Sequence, residues 1–278
     1  MRLSPRVIAP GLIFVATVLS TGVATRGVYA RGFDATLSAG GVVALVAVVA
    51  SMYGAAWVAL CRVYGLSLDA AGLSLGWRRW PEALGLAAGT LLGYLAAVWA
   101  GSEVAATPFV RRDAALAPGA LVLGWLSFFL SSALQQLSTQ ALVRALSPRE
   151  GLSWRAVGAG VLLFVAAHLS VSQSPRYLGN VALFALVSTG VYRAAGPAGV
   201  LCASAAHGAF NFAQLVLMGA PIGGERVRFS VYLWPTQESV WLGGANGFDE
   251  GWFFALALVV PGGYALLKLR ALRAKGVL

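Results

Sequence analysis

The sequence predicts an all-α fold, a polytopic transmembrane helix bundle of about eight helices that forms one membrane domain over residues 1–278, with both termini cytoplasmic. Two features of composition predict this fold class. Of the 278 residues, 59% are hydrophobic and only 11% are charged, whereas a soluble domain carries roughly a quarter charged residues. The mean hydropathy is +0.77. A chain of this composition has lipid as its natural surroundings.

The apolar runs of the chain define the predicted helices in order. A helix needs about 20 mostly apolar residues to cross the hydrocarbon core of a bilayer. The runs that approach this length lie at about 7–24, 39–63, 82–103, 117–146, 155–171, 178–195, 197–219 and 252–270. The first run follows Arg2 and Arg6, as the core of a signal peptide would. Because it is longer than a typical signal-peptide core, we predict that it is retained as a helix.

The third predicted helix carries a stripe of small residues at a spacing of four. The stripe consists of Gly85, Gly89, Gly93, Ala97 and Gly101. Small residues allow membrane helices to approach closely. Packing against another helix of the same chain is favoured over a dimer interface, and the sequence does not determine an oligomeric state.

The distribution of charge predicts the topology. The formal net charge is +10, but the cationic residues are spread over the connections and form no basic stripe, so we exclude a nucleic-acid-binding protein. With the N-terminus inside, most lysine and arginine residues fall in inner connections, as the positive-inside rule requires. The composition, rich in Ala, Gly, Arg and Val, is compatible with a high-GC bacterium. We therefore expect an integral protein of a bacterial inner membrane.

The longest connection, about 220–251, lies outside in this topology. It contains Trp234 and Trp241, and Trp252 follows it directly. Tryptophan is enriched at the level of the lipid headgroups, so we expect these three side chains to act as interfacial anchors.

Uncharged polar residues buried in three of the predicted helices are the candidate functional residues. They are Gln135, Gln136 and Gln140 in the fourth helix, His168 in the fifth, and Ser204, His207, Asn211 and Gln214 in the seventh. The spacings of 3, 4 and 3 place the last four on one face of their helix. At 1.5 Å per residue, all three groups lie about 15–20 Å from the inner boundary. The sequence thus predicts one shared site, although each side chain could instead only join neighbouring helices.

These residues resemble the motifs of the CPBP intramembrane protease family, also called type II CAAX endopeptidases or the Abi family. The family carries Glu-Glu-x-x-x-Arg, then Phe-x-x-x-His, then His-x-x-x-Asn on separate membrane helices. Phe164 and His168 match the second motif, and His207 and Asn211 match the third. In place of the first motif stands the run 135–140, Gln-Gln-Leu-Ser-Thr-Gln. The resemblance covers about residues 70–270.

The resemblance implies a peptidase site in which a glutamate and a histidine activate water, while a second histidine and the asparagine stabilise the oxyanion. It also leaves room for a divalent metal such as zinc, held by His168 and His207. An amide cannot serve as a general base, and its loss of charge weakens any metal site. We therefore expect a pseudoenzyme that binds a hydrophobic peptide, a membrane-protein segment or a lipid-like ligand.

Two other functions stay open on the sequence. The first is an active CAAX-type or bacteriocin-processing endopeptidase that uses His168, His207 and Asn211. An acid of the outer connection, such as Glu225 or Asp249, could supply a carboxylate, but nothing in the sequence places either of them in the site. The second is a small transporter, which is disfavoured because no acid lies deep in a predicted helix.

Overall fold

The computed structural model describes residues 76–111, 118–147, 153–169, 172–221, 230–235, 239–243 and 247–276, together with the single positions 58, 62 and 65. Two predicted segments lie outside the described residues: the one at 7–24, and the one at 39–63 except for positions 58 and 62. Cys61 and Glu225 also lie outside them. The described part of the chain is mostly helical, so the prediction of a helical fold is confirmed there.

The helices lie where the remaining six predicted segments lie. In chain order they are α1 Trp80–Ala105, α2 Pro118–Leu146, α3 Trp154–His168, α4 Pro175–Ala195, α5 Gly199–Phe212, α6 Phe254–Ala257 and α7 Val259–Ala274. Helix α5 continues directly into a π-helical turn, Ala213–Leu217. Three short 3-10 turns flank the helices, at Trp77–Arg79, Gly196–Ala198 and Phe248–Glu250. Two short strands, β1 Val110–Arg111 and β2 Tyr232–Leu233, pair antiparallel.

Local sequence signals set the ends of several helices. Proline stands in the first turn of α1 and of α4, where its missing N–H is not needed. The Ser153 hydroxyl accepts a hydrogen bond from the Ala156 N–H at 3.4 Å and caps the start of α3. Helix α4 ends at Gly196, whose φ of 57° is a conformation that favours glycine.

Two helical stretches of the described residues are long and apolar enough to cross a membrane, as judged by length and composition. The first is α1, with 26 residues, and the second is the 43-residue stretch Pro175–Leu217. The second stretch is a hairpin, because the chain turns back at Gly196. A Cβ on Gly199 would lie 2.4 Å from the Tyr192 carbonyl oxygen, and the Phe184 and His207 rings are 4.6 Å apart. Helices α4 and α5 are therefore antiparallel neighbours.

Helix α5 is the centre of the bundle. Every residue from 199 to 210 is buried, and the helix packs on α1, α2 and α4. The contact with α2 is closest at Gly208, where an added Cβ would lie 2.8 Å from the Phe129 Cα atom. The close backbone approach of α2 and α5 therefore requires a glycine at this position.

The small-residue stripe of α1 packs within the chain, as predicted. A Cβ on Gly89 would lie 2.8 Å from a Val260 methyl group, and one on Gly93 would lie 3.3 Å from the same side chain. A Cβ on Gly101 would meet Leu242 at 2.7 Å. Helix α1 thus lies against the start of α7 and against the connection that precedes α6, while a Cβ on Gly85 would meet nothing within 4 Å.

The expectation for Trp234 was wrong. Its side chain is only 3% exposed and packs against Phe109 and Phe248, with ring centroids 5.4 and 6.4 Å apart. The pairing of β1 with β2 turns the connection back over the bundle, so this tryptophan joins the core. Trp252 is 61% exposed, as an interfacial anchor would be, and Trp241 is 41% exposed.

A polar cluster joins the start of α1 to the second half of α7. Tyr264 donates its hydroxyl to a Glu82 carboxylate oxygen at 2.7 Å, and the Lys268 ammonium forms an ion pair with the same oxygen. Cys202 of α5 is a free, buried cysteine.

Candidate functional site

Gln136 of α2 and His207 of α5 meet in the interior of the bundle. The Gln136 amide nitrogen lies 3.2 Å from His207 Nδ1. Their side chains are only 1% and 5% exposed, respectively. The motif residues of two helices that are 71 positions apart in sequence are therefore in direct contact, because Gly208 brings the two backbones together.

Phe164 joins the two histidines. Its ring stacks on His168 at a centroid distance of 4.6 Å and lies 5.9 Å from His207. His168 is the last residue of α3 and is half-buried, and its Nδ1 atom is 2.7 Å from the Phe164 carbonyl oxygen. The structure thus brings both histidines of the chain against one aromatic ring, which is what their matching depth predicted.

The hydrogen bonds hold the two imidazoles in opposite tautomers. A carbonyl oxygen only accepts, so His168 Nδ1 carries the proton and Nε2 carries the lone pair. An amide nitrogen only donates, so His207 Nδ1 is the acceptor and Nε2 carries the proton. Of the two histidines, only His168 therefore has a ring-nitrogen lone pair, on Nε2, that no described residue engages.

The other two motif glutamines have different surroundings. The Gln140 side chain is 1% exposed and donates to the Thr189 hydroxyl of α4 at 3.1 Å. Gln135 is half-buried, and its side-chain oxygen finds no hydrogen-bond partner among the described residues. Gln136 and Gln140, one turn apart on α2, therefore link this helix to α5 and α4, while Gln135 does not join the pair.

Two predicted site residues of α5 lie beside His207 but form no hydrogen bond with it. Asn211, one turn further along, is half-buried. Ser204, one turn before, is completely buried, and its hydroxyl has no hydrogen-bond partner within the described ranges. They share the helix face of His207, as their spacing predicted.

Gln214 does not belong to the histidine site. It lies in the π-helical turn after α5, and its amide donates to an Asp249 carboxylate oxygen at 3.0 Å and to the Pro221 carbonyl oxygen at 3.4 Å. Gln214 lies seven residues beyond His207, within this wider turn. The predicted face therefore divides into the group around His207 and Gln214, which belongs to a different cluster.

Asp249 is the polar residue that the sequence did not place. It is 8% exposed, and burial is the main cause that raises its pKa to about 6, with the neighbouring Glu250 adding to the effect and Gln214 opposing it. Its backbone oxygen accepts a hydrogen bond from Asn180 of α4 at 2.7 Å. Neither Asp249 nor Gln214 is bonded to a histidine. The aromatic residue next to Asp249 in sequence, Phe248, is fully buried and was the available signal for burial.

The donor set does not fit a zinc ion. Catalytic zinc sites usually have three protein ligands that offer lone pairs. Of the two candidate ligands, His207 has its one lone pair engaged by Gln136. In the described part of the chain, no group of three or more His, Cys, Asp and Glu residues has the geometry to hold a metal ion.

Comparisons of the chain with protein-family models, with curated proteins and with solved structures found no match. The resemblance to the CPBP proteases therefore rests on the motif residues themselves. What can be argued about function comes from the geometry of those residues.

Proposed function

We propose that the chain is a CPBP-like pseudoprotease, an integral protein of a bacterial inner membrane with about eight helices and both termini cytoplasmic. In this proposal the histidine site binds a hydrophobic peptide or a segment of a membrane protein and does not cleave it. The observation that carries the proposal is the bond between Gln136 and His207, since it replaces an acid–base pair by two uncharged groups.

The surface of the bundle supports the membrane part of the proposal. Large apolar side chains are exposed along three helices, while amides and hydroxyls are buried between them. The exposed set includes Leu84, Leu92 and Trp99 of α1, Leu162 of α3, and Leu266 and Leu267 of α7. A soluble protein rarely exposes contiguous apolar faces on this scale, whereas lipid requires them.

The chemistry of the Gln136–His207 pair argues against efficient hydrolysis. A glutamate at position 136 would accept a hydrogen bond from the Nδ1–H group of His207 and leave the Nε2 lone pair free as a base. The glutamine instead donates to Nδ1, so that Nε2 carries a hydrogen and neither ring nitrogen has a free lone pair. Losing a general base costs about 10²–10⁴-fold in rate.

What remains suits recognition of a backbone in an apolar setting. His168 Nε2 is an acceptor, and the half-buried amides of Gln135 and Asn211 lie on the two flanking helices. Phe164 and Phe184 provide apolar surface next to both rings. A peptide in extended form has N–H and C=O groups that must be satisfied away from water, and these side chains supply both kinds of partner.

A binding and cleavage assay tests the proposal. The full chain in lipid nanodiscs is mixed with a fluorescent peptide that ends in a prenylated Cys-a-a-X sequence. We expect saturable binding, at least tenfold weaker in His168→Ala, with the peptide recovered intact. If added phospholipid without detergent displaces the fluorescent peptide, the site binds a lipid. That result would overturn the proposal that its ligand is a peptide.

An active endopeptidase is the second candidate, and the unengaged lone pair of His168 is the observation that favours it. This nitrogen could act as the base without a carboxylate. Peptide cleavage by the wild-type chain that is lost in His168→Ala, and also in His207→Ala, would establish this alternative and refute the pseudoprotease.

Restoring the family's charged residues provides the complementary test. The triple change Gln135→Glu, Gln136→Glu and Gln140→Arg should produce peptide cleavage, because residue 136 would then orient His207 and the arginine would balance the buried negative charge. The matched control is Gln136→Leu with the other two changes, which should stay inert. Equal cleavage by both variants would contradict the role given to position 136.

A further inference from the structure

The connection that precedes α6 contacts the bundle through a short turn, Phe248–Glu250, that contains the buried carboxyl group of Asp249. Asp249 lies in the 3-10 turn that precedes α6, and three contacts of this turn reach different parts of the bundle. Asn180 of α4 donates to the backbone oxygens of Asp249 and Gly251, at 2.7 and 3.3 Å. Gln214 donates to the Asp249 side chain, and Ser172, four residues after His168, donates to Glu250 at 3.4 Å.

The described residues on either side of this turn, 239–243 and 247–253, are folded around it. The N–H groups of Trp252 and Phe253 donate to the carbonyl oxygens of Val240 and Trp241, at 3.1 and 3.2 Å. Gly247 has a φ of 93°, and a Cβ there would lie 1.8 Å from the Pro221 carbonyl oxygen. The segment is therefore seated closely on the bundle, and Asp249 is the acid at its point of contact.

One buried atom has no partner in this arrangement. Gln214 is completely buried, and its side-chain oxygen has no hydrogen-bond partner among the described residues. An ionised carboxylate only accepts, so it cannot satisfy this oxygen. A protonated carboxyl can, because an acid and a primary amide facing each other form two hydrogen bonds, one in each direction. The unsatisfied oxygen thus points to a proton on Asp249.

Among the described residues, no positively charged group acts on Asp249 to balance an ionised form. Glu250 on the same turn, Tyr94 on α1 and Tyr177 on α4 are the titratable groups that act on it or face it. Gln214, from the turn after α5, is uncharged. Within the described ranges Asp249 forms no ion pair. A buried carboxylate without a cation is costly, whereas the protonated form is not.

We propose that Asp249 and Gln214 form a proton-binding carboxyl–amide pair that latches the segment 239–253 onto α4 and α5. Protonation completes the second hydrogen bond and seats the segment, and ionisation releases it from the outer end of the bundle. Because the connection is predicted to lie outside the membrane, the latch responds to the pH of the outer compartment.

The direction of the pH effect follows from burial. The pKa of Asp249 is raised from 3.8 to about 6, so the seated form holds the proton more tightly than the open form does. The seated form is therefore most favoured at low pH and loses this advantage as the pH rises from about 4 through 6. A difference of about two pKa units changes the opening equilibrium at most about a hundredfold.

Hydrogen–deuterium exchange of the full chain in nanodiscs tests the latch. After correction for the intrinsic exchange rate, the amides of 239–253 should open at least tenfold more often at pH 7.5 than at pH 4.5. In Asp249→Asn, whose amide keeps both hydrogen bonds without titrating, this pH dependence should vanish and the protection should stay high. The matched control is Glu250→Gln, the adjacent acid, which should keep the wild-type pH dependence.

Two results of the exchange experiment would overturn the proposal. One is an unchanged pH dependence in Asp249→Asn, and the other is its loss in Glu250→Gln. Infrared spectroscopy gives an independent reading that needs no change of stability. A carboxylic-acid C=O band of a buried group should be present in the wild type at pH 5, absent in Asp249→Asn and shifted in Gln214→Leu. Absence of the band from the wild type would show that Asp249 is ionised and refute the latch.

Discussion

Helix α5 and the turn that follows it each contribute one residue to a buried pair in which a glutamine amide is the donor. In the first pair, called the inner site, Gln136 donates to His207 at 3.2 Å. In the second pair, called the outer site, Gln214 donates to Asp249 at 3.0 Å. All four side chains are buried. The inner pair joins two uncharged groups, while the outer pair includes an acid that can gain or lose a proton near pH 6.

The difference between the two pairs shows at which place in the bundle an ionisable side chain is buried. A charge in the middle of the hydrocarbon region is expensive, and a helix that carries one needs a partner of opposite sign. The motif positions on α2 carry neither the acids nor the arginine of the family they resemble. The acid that is buried instead lies in the connection before α6, and in our proposal water reaches it when this segment opens. The inner site is therefore expected to be insensitive to pH and the outer site responsive.

The largest expected effect comes from separating α2 from α5. In Gly208→Val the new Cβ would lie 2.8 Å from a backbone atom of Phe129, which cannot move aside as a side chain could. We expect a loss of about 3 kcal/mol in the free energy of unfolding in detergent micelles. The control is Gly158→Val in α3, where a Cβ meets nothing within 4 Å. Equal losses in both variants would mean that valine in a helix, and not the close approach, is the cause.

The second-largest effect is expected from Gln136→Leu, which breaks the inner pair of Gln136 and His207. His207 Nδ1 then stays buried without a donor, which should cost about 1–3 kcal/mol in the free energy of unfolding. The double variant Gln136→Leu with His207→Phe removes both polar groups and should recover part of the loss. The loss from Gln136→Leu should be the same at pH 5 and pH 8, whereas that from Gln214→Leu should change with pH. A pH-dependent loss at Gln136 would remove the distinction between the two pairs.

A smaller effect is expected from Gln140→Leu. This amide joins α2 to α4 through one hydrogen bond to the Thr189 hydroxyl, and such a bond between membrane helices is worth about 0.6 kcal/mol on average. The hydroxyl keeps its own bond to the Ala185 carbonyl oxygen, at 2.9 Å. A loss above about 2 kcal/mol, measured by unfolding in micelles, would mean that Gln140 acts as more than a link between helices.

The sequence predicted the inner site better than the outer one, for a physical reason. The helices follow from the length of the apolar runs, and the depth of Gln136, His168 and His207 follows from the rise per residue. Both quantities are local. The contacts of Gln140 with Thr189, and of Gln214 with Asp249, depend on which helices and connections become neighbours, and periodicity does not contain this information. The burial of Trp234 was missed because a two-residue strand pair folds its connection back.

The smallest effect is expected from Ser204→Ala, one turn before His207 on α5. Ser204 is fully buried, and none of the described residues bonds to its hydroxyl, so removing the hydroxyl removes a group that was desolvated without compensation. The free energy of unfolding should change by less than about 0.5 kcal/mol or rise slightly. The matched control is Thr189→Val, whose hydroxyl accepts from Gln140 and donates to Ala185, and which should destabilise the protein. If Ser204→Ala leaves stability unchanged but weakens peptide binding, the hydroxyl belongs to the binding site, and the inner pair is one side of a pocket that a ligand completes.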